Sequence, residues 1–301
     1  MKMTEAQAME LALDLALRGW GRVAPNPLVG AVLLKDGQLV GQGHHSEYGA
    51  PHAEVEAISN CEDPDGTTCV VNLEPCSHRG KTPPCTDALI MAGVKRVVFA
   101  IPDPDRAAAG GAEKLRAAGI DVEAGVLERD AMALNAPFLW SRARPDRPFI
   151  ALKLATSMDG FMADEWGRSQ WITGEEARAH AHWLRAGFDA IAVGRATADA
   201  DDPQLTARGA LEPRVPATRV VFTRSGRIAS DLRLVRTAAA IPTTVIVAPE
   251  GARTAQESLR DTEVQLVVSE GLRDNLRELR SRGFMSVLVE AGPNLAGQLL
   301  A

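Results

Sequence analysis

The sequence has few aromatic residues, few cysteines and no excess of basic residues. Aromatic residues make up 4% of its 301 residues, and 33 lysines and arginines face 39 aspartates and glutamates, for a net charge of −6. Such a chain offers neither a basic surface for a phosphate backbone nor many rings for stacking on bases. The composition therefore argues against a general nucleic-acid-binding protein, and we expect no nucleic-acid partner.

Long apolar runs are also missing, because no stretch approaches the ~18 residues that a membrane-spanning helix needs. The N-terminal segment is interrupted by Glu5, Glu10 and Asp14, which argues against an export signal and favours an amphipathic helix capped by Thr4 and Gln7. Four cysteines are too few for a disulfide framework. We therefore expect no membrane association, reduced thiols and a cytoplasmic location.

Predicted strands and helices alternate along the sequence, which indicates an α/β fold. The strands of the first half are predicted at 29–34, 38–43, 68–73, 94–101 and within 119–126, and its helices at 52–59, 84–93, 110–118 and 128–140. Those of the second half are predicted at 149–155, 188–193, 218–223, 243–248, 264–268 and 285–290, with helices at 174–186, 271–282 and from Pro293 onward. The charged, proline-containing segment 141–148 is the predicted linker between domains 1–146 and 149–301. The alternation does not fix the order of the strands.

Three short motifs in the first half carry metal-ligand chemistry: His52-Ala53-Glu54, Glu74-Pro75-Cys76 and Pro83-Pro84-Cys85. The nitrogen and sulfur ligands of His52, Cys76 and Cys85 suit zinc, and three protein ligands leave a fourth position for water, as in catalytic zinc sites. Glu54 is the candidate acid/base group. Residues two positions apart face different sides of a helix, so His52 and Glu54 share a site only if the helix begins there, and Pro51 favours such a start. The alternative is two unrelated buried cysteines and a surface histidine.

These motifs match the H-x-E and P-C-x-x-C signature of zinc deaminases, except that Cys85 follows Cys76 by nine positions instead of three. Together with APNPLVGAV (24–32) and PHAEVEA (51–57), the segment PCSHRGKTPPC (75–85) resembles the deaminase domain of the bifunctional riboflavin-biosynthesis deaminase/reductase family. The resemblance implies a cytidine-deaminase-like three-layer domain that hydrolytically deaminates a diaminopyrimidinone carrying a phosphoribosylamino group. It also implies that the substrate is held by Asn26, His45, His78 and Lys81, the last two near its phosphate.

The second half contains no G-x-G-x-x-G fingerprint, which disfavours a Rossmann dinucleotide site. Gly292, Pro293 and Asn294 instead follow a predicted strand and open a helix, which suits a pyrophosphate bound on helix-end amides; an ordinary strand–helix turn is the alternative. The segments LKLATSMDG (152–160), SQWITG (169–174), LRAGFDAIAVG (184–194), TADADDPQLTAR (197–208) and VLVEAGPNLAG (287–297) resemble, in this order, the reductase domain of the same family.

That resemblance implies a fold like dihydrofolate reductase and an NADPH-dependent reduction of the ribosyl group to a ribityl chain. The family positions that contact the cofactor match Thr156, Trp171, Thr197, Asp201, Gly292, Pro293, Asn294 and Leu295. Those that hold the phosphorylated substrate match Ser169, Arg185, Leu205, Arg208 and Glu290.

We therefore expect a two-domain cytoplasmic enzyme with zinc and NADPH as cofactors, a small-molecule substrate and a homo-oligomeric state, either dimer or tetramer. Members of the resembled family continue beyond the position of Ala301, so we expect the second domain to be C-terminally short, with weaker NADPH binding and weaker self-association. The alternatives are a deaminase of nucleosides or tRNA, a deaminase with an inactive reductase-like domain, and a zinc-stabilised binding protein without turnover.

Overall fold

The chain forms two compact units, Met1–Ala143 and Arg144–Ala301. The computed structural model describes residues 2–78, 83–105, 109–166, 172–209 and 211–301. Three residues assigned above to binding, Lys81, Ser169 and Trp171, lie outside the described residues. Within the described part of the chain, no helix is both long and apolar enough to cross a membrane.

The first unit is built around a mixed five-stranded sheet. Its strands are β1 (Gly30–Lys35), β2 (Gln38–His44), β3 (Thr68–Leu73), β4 (Arg96–Ile101) and β5 (Asp121–Ala124), and its helices are α1 (Glu5–Leu17), α2 (Ala53–Ser59), α3 (Cys85–Met91), α4 (Gly111–Ala117), α5 (Glu128–Leu134) and α6 (Ala136–Ala143). The strand order is β2-β1-β3-β4-β5. Strand β1 is antiparallel to β2 and β3, whereas β3, β4 and β5 run parallel to one another.

Two glycines show that helices cover both faces of this sheet. A Cβ on Gly30 would lie 2.0 Å from the carbonyl oxygen of Ala12 in α1, and one on Gly43 would lie 2.5 Å from the backbone nitrogen of Ala57 in α2. Gly43 pairs with Ala31, the neighbour of Gly30, so the two glycines face opposite sides of the sheet. The sheet is therefore the middle of three layers, which confirms the predicted three-layer α/β architecture.

One predicted helix, 128–140, is two helices in the structure, because α5 ends and α6 begins around Asn135. The buried Asn135 side chain accepts a hydrogen bond from the Leu28 backbone N–H (2.8 Å) and donates one to the Leu28 carbonyl oxygen (2.9 Å). An asparagine that bonds backbone elsewhere favours a helix end over a helix interior. These bonds also fix the segment before β1, which carries Asn26.

The second unit has a six-stranded sheet in the order β10-β9-β8-β7-β11-β6, in which every neighbouring pair is parallel. Its strands are β6 (Phe149–Lys153), β7 (Ala190–Gly194), β8 (Thr218–Thr223), β9 (Thr243–Val247), β10 (Gln265–Val268) and β11 (Ser286–Glu290), and its helices are α7 (Glu175–Ala186), α8 (Arg195–Asp201), α9 (Arg233–Arg236), α10 (Ala252–Ser258), α11 (Gly271–Ser281) and α12 (Pro293–Leu300). The sequence did not predict α8, α9 and α10, which are too short to show a clear helical period.

The two neighbouring strands β7 and β11 lead into helices on opposite faces of the sheet. Ile191 and Val193 of β7 pack in one apolar cluster with Ala198 of α8. Ala190 and Ala192 lie on the other face, in a cluster with Leu295 of α12. The carboxyl edge between β7 and β11 is therefore a topological switch point, which is where open parallel sheets bind ligands.

Candidate functional site

Two helix starts and one strand end bring the predicted metal ligands together. His52 is the N-cap of α2 and has extended backbone angles (φ −73°, ψ 159°), while Cys85 is the first residue of α3. Cys76 follows β3, whose carboxyl end lies beside that of β4. The predicted site requires a helix that begins at His52. In the structure His52 is the N-cap of this helix and Ala53 is its first residue.

The three side chains have the spacing that a zinc ion requires. Their ligand atoms all lie within 4.8 Å of one another, and Nδ1 of His52 is 3.1 Å from Sγ of Cys85 and 3.6 Å from Sγ of Cys76. Tetrahedral zinc with bonds of about 2.0–2.3 Å separates its ligand atoms by roughly 3.5 Å. The donor set and the distances therefore fit zinc, with Nδ1 as the nitrogen ligand.

The surroundings favour an ionised sulfur at Cys76. The hydrogen bond from the Cys85 thiol is the main cause that holds the pKa of the Cys76 thiol well below its ordinary value, and His52 adds to the effect. The backbone N–H of Cys85 donates to Sγ of Cys76 at 3.3 Å. A thiolate is the form of cysteine that binds metals, so this site is prepared for a cation.

Glu54 lies in the first turn of α2, next to the metal group but not part of it. Its side chain is buried, and burial raises the pKa of the Glu54 carboxyl above its ordinary value. A carboxyl group with a raised pKa takes up a proton more readily than an exposed one, and general acid–base catalysis requires a group that takes up a proton and gives it back.

The metal group opens into a cavity of about 260 Å³. The predicted site residues that line it are Asn26, His45, His52, Glu54, Cys76 and His78. The structure adds Tyr48, Asp103, Asp105, Phe138 and Arg142, which sequence reasoning did not identify. Asp103 and Asp105 were detectable in principle, because they follow β4 at the same sheet edge as Cys76.

Glu74 has a structural role that its place in the Glu-Pro-Cys motif did not reveal. Its buried carboxylate accepts hydrogen bonds from the backbone N–H of Asp103 (3.2 Å) and of Ala112 (2.9 Å). These bonds tie the end of β3 to the end of β4 and to the start of α4. Since Cys76 is two residues from Glu74, they also fix the position of one metal ligand.

In the second unit, the predicted cofactor residues Thr197, Gly292 and Leu295 lie at the switch point. Gly194 is the N-cap of α8 and Gly292 is the N-cap of α12, both with extended backbone. A Cβ on Gly292 would lie 3.2 Å from Oγ1 of Thr197. The two helix starts therefore lie close together in a crevice at the sheet edge, and both have glycine at the N-cap, which suits the pyrophosphate of a dinucleotide.

Arg185 and Glu290, both predicted to hold the substrate, form a two-pronged ion pair. Nε of Arg185 donates to Oε1 of Glu290 at 2.5 Å and Nη2 donates to Oε2 at 2.9 Å, with both side chains largely buried. Nη1 of Arg185 donates to the Thr206 carbonyl oxygen at 3.1 Å, and Lys153 lies 3.9 Å from Glu290. This network joins α7, β6 and β11 to the segment around Thr206.

The other predicted residues of the second unit differ in how far they are buried. Leu205, four residues after the end of α8, is buried and has a positive φ of 50°. Thr156, Asp201 and Arg208 are exposed. Thr156 follows β6 by three residues, and Asp201 is the last residue of α8.

Comparison with known proteins gives matches for both halves of the chain. Residues 2–101 match the family described as the cytidine and deoxycytidylate deaminase zinc-binding region, and residues 148–301 match the RibD C-terminal domain. Two relatives described as riboflavin biosynthesis protein RibD are each 42% identical. The one from Aquifex aeolicus is matched over 95% of this chain and 80% of its own length, and the one from Escherichia coli over 99% and 84%.

A solved structure from Thermotoga maritima, named as a diaminohydroxyphosphoribosylaminopyrimidine deaminase/5-amino-6-(5-phosphoribosylamino)uracil reductase, is 38% identical and superposes with a TM-score of 0.85 over 98% of this chain and 83% of its own. These matches confirm the predicted pairing of a cytidine-deaminase-like domain with a dihydrofolate-reductase-like domain. The chain belongs to the RibD family, and it is a bifunctional enzyme of riboflavin biosynthesis with a zinc-dependent deaminase and an NADPH-dependent reductase.

Proposed function

We propose that the first unit deaminates 2,5-diamino-6-(5-phosphoribosylamino)pyrimidin-4-one and that the second unit reduces the ribosyl group of the product to a ribityl chain. The observation that carries the first step is the metal group of His52, Cys76 and Cys85 beside the buried Glu54, at the wall of one cavity. The printed name of the Thermotoga maritima relative supports the choice of substrate. We assign the deaminase to residues 1–146 and the reductase to residues 149–301.

His52, Cys76 and Cys85 hold the zinc ion in this proposal. When bound, zinc supplies the Lewis acidity that makes water a nucleophile near neutral pH. Glu54 accepts a proton from the attacking water and delivers it to the departing amino group. A carbon–oxygen bond forms, the carbon–nitrogen bond breaks and ammonia leaves, so that Glu54 returns to its starting state.

The substrate lies in the cavity with its pyrimidine ring toward Glu54. Asn26 and His45 form one wall, and we assign the phosphate end to His78 and Lys81. Arg142 also lines the cavity, where it pairs with Asp105 at 3.4 Å. Because a phosphate is bound best by cationic side chains, the presence of Arg142 in the cavity lining supports a phosphate end within this cavity.

The second unit binds NADPH at the crevice between β7 and β11. Thr197, Gly292, Pro293, Asn294 and Leu295 hold the cofactor at the two helix starts, and Thr156, Trp171 and Asp201 extend the site. When bound, NADPH supplies a hydride to the sugar carbon that is reduced. The substrate is held by Ser169, Arg185, Leu205, Arg208 and Glu290. Their contribution is the position of the sugar relative to the hydride donor.

We also propose that the chain acts as a homo-oligomer and has no nucleic-acid partner. Light scattering of the purified protein measures its mass in solution and therefore its oligomeric state. The cytoplasmic location stays a prediction of the sequence.

One assay tests the proposed function directly. The full chain is incubated with zinc, NADPH and the pyrimidinone, and ammonia release and NADPH oxidation are recorded together. We expect ammonia release to precede NADPH oxidation, and the deaminated product alone to support NADPH oxidation. Cytidine and an adenosine-containing RNA serve as competing substrates. Faster ammonia release from either of these would contradict the proposal.

A further inference from the structure

Both ring nitrogens of His45 are already engaged within the protein. His45 follows β2, and its side chain lines the cavity but is only 3% exposed. Its Nδ1 lies 3.0 Å from the carbonyl oxygen of Pro51, and its Nε2 lies 3.0 Å from Nδ2 of Asn26. The backbone N–H of His45 donates to the Val29 carbonyl oxygen at 2.8 Å, so the residue is fixed at both ends.

The partners of the ring determine where its hydrogen atoms are. A carbonyl oxygen only accepts hydrogen bonds, so Nδ1 carries the hydrogen that is shared with Pro51. In the neutral ring Nε2 is then an acceptor, and the group that faces it must be the NH2 end of the Asn26 amide. The structure places Nδ2 of Asn26, not Oδ1, opposite Nε2 at 3.0 Å, which is the arrangement that a neutral ring requires.

The orientation of the Asn26 amide follows from this arrangement. With Nδ2 donating to His45, the amide keeps its oxygen Oδ1 and one N–H for the cavity that Asn26 lines. Within the described residues, no other hydrogen bond engages the Asn26 side chain. An acceptor at that place favours a ligand that presents an N–H group, as an aminopyrimidine does.

We propose that His45 is a positioning residue, which does not contact the substrate but orients the Asn26 amide so that Oδ1 accepts a hydrogen bond from an N–H group of the aminopyrimidine. This inference rests on the proposed deaminase function, and it differs from the role that the family resemblance gives to His45. Asn26 is the contact residue, and His45 acts through it.

A double-mutant cycle on the full chain separates the two roles. We expect Asn26→Ala and His45→Phe each to lower kcat/KM for ammonia release from the pyrimidinone by about 10- to 100-fold, the range for a lost or unpaired buried hydrogen bond. If His45 acts only through Asn26, the double variant is no worse than Asn26→Ala alone, to within about twofold. Losses that multiply would show that His45 contacts the substrate itself and would overturn the proposal.

The same cycle with His78→Ala in place of His45→Phe is the matched control. His78 lines the cavity too, and we assign it to the phosphate end, so its loss multiplies with that of Asn26→Ala. The control shows that the assay can detect two independent contacts. It also gives the ratio of kcat/KM between the double variant and Asn26→Ala that two independent contacts produce, and the ratio for His45→Phe is compared with it.

Two conservative variants test which ring nitrogen of His45, Nδ1 or Nε2, is required. The amide of His45→Gln reaches the place of Nε2 and can accept from Asn26, whereas that of His45→Asn reaches only the place of Nδ1 and can bond Pro51. We expect His45→Gln to keep kcat/KM within about fivefold of the wild type and His45→Asn to lose as much as His45→Phe. A role in packing alone would not order the two variants in this way, and the reverse order would contradict the proposal.

Zinc content is measured for every variant, because the His45 and His52 rings make an edge contact at 5.5 Å between centroids. Rates are expressed per bound zinc. Zinc loss in both the Gln and Asn variants would mean that His45 acts through His52, and the proposal would fail. The wild-type rate on the pyrimidinone is the separate test of the deaminase function, so the function can stand while the role of His45 falls.

Discussion

The two candidate sites of this chain are built in different ways. In the first unit, the metal group consists of three side chains within 4.8 Å, and the acidic residue beside them is buried. In the second unit, the crevice is formed by backbone at two helix starts, and predicted contact residues such as Thr156 and Arg208 are exposed. Metal chemistry requires particular atoms at fixed distances, whereas a nucleotide can be held largely by backbone N–H groups.

This difference explains why the zinc site is easier to recognise in the sequence than the cofactor site. The proposed zinc ligands are His52, Cys76 and Cys85, and each of them lies in a short motif with a recognisable chemical meaning. Around Gly292, the main requirement is that a side chain is absent, and glycine after a strand is common. We therefore expect substitutions in the first unit to have larger and more specific effects than those in the second.

The largest effect is expected from the metal ligand Cys76. Cys76→Ser should lose most of the bound zinc and with it the deaminase activity, because zinc is held by three protein ligands and the lost one is a thiolate. Metal analysis and ammonia release measure the two losses. The control is Cys61→Ser, since Cys61 is a half-buried cysteine outside the group. Full zinc content in Cys76→Ser would exclude the assigned ligand set.

The next effect separates chemistry from metal binding. Glu54→Gln should retain zinc and lower deaminase turnover ~10²–10⁴-fold, the usual contribution of general acid–base catalysis. NADPH oxidation on the deaminated substrate should not change. Glu56→Gln is the matched control two residues along α2, because Glu56 pairs with His44 and lies outside the metal group. A loss below about tenfold in Glu54→Gln would remove Glu54 from the mechanism.

The helices and strands of the first unit were predicted from its sequence, except for the break between α5 and α6, and the reasons are local. The capping pair of Thr4 and Gln7 forms both of its hydrogen bonds at the start of α1. The turn at Asp36 and Gly37 joins β1 and β2 as an antiparallel hairpin, with positive φ at both residues. These features depend on residues close together in the chain. The break at Asn135 was not predicted, because it depends on Leu28, which is 107 positions away.

In the second unit, the strand order and the long-range contacts could not be predicted from the sequence. All six strands were located, but their order was not, and the switch point exists only because β11 inserts between β7 and β6. The roles of Arg185 and Glu290 came from resemblance alone. Their ion pair joins residues 105 positions apart, and no spacing rule reveals such a contact. Glu74 in the first unit was missed for the same reason, since its partners lie on the next strand and helix.

A smaller effect is expected from Arg185 in the reductase. Arg185→Lys removes the two-pronged bond to the largely buried Glu290, because lysine has no planar fork. We expect kcat/KM for the reduction to fall about 10- to 100-fold, as for the loss of one hydrogen bond to a charged group while the charge itself is kept, and ammonia release to stay at the wild-type rate. Arg178→Lys is the control on the same helix, since Arg178 donates to the Thr173 carbonyl oxygen. Equal losses in both variants would show that α7 as a whole, not the Glu290 pair, is sensitive.

The smallest effect is expected at the backbone of the crevice. Gly292 has φ −74° and ψ 172°, which alanine adopts without strain, so Gly292→Ala adds only a methyl group. That methyl would lie 3.2 Å from Oγ1 of Thr197, at the helix start where we propose that the pyrophosphate binds. We expect the Kd for NADPH to rise about 3- to 10-fold, measured by quenching of the native tryptophans, with little change in Tm.

Gly297→Ala is the matched control on the same helix, because its methyl would have no heavy atom within 4 Å. Alanine within a helix is favoured over glycine by about 0.5–1 kcal/mol, so this control should raise Tm and leave the Kd unchanged. If Gly292→Ala bound NADPH as tightly as the wild type while Gly297→Ala weakened binding, the pyrophosphate would lie away from the start of α12. The cofactor site of the second unit would then not be formed by backbone at this helix start.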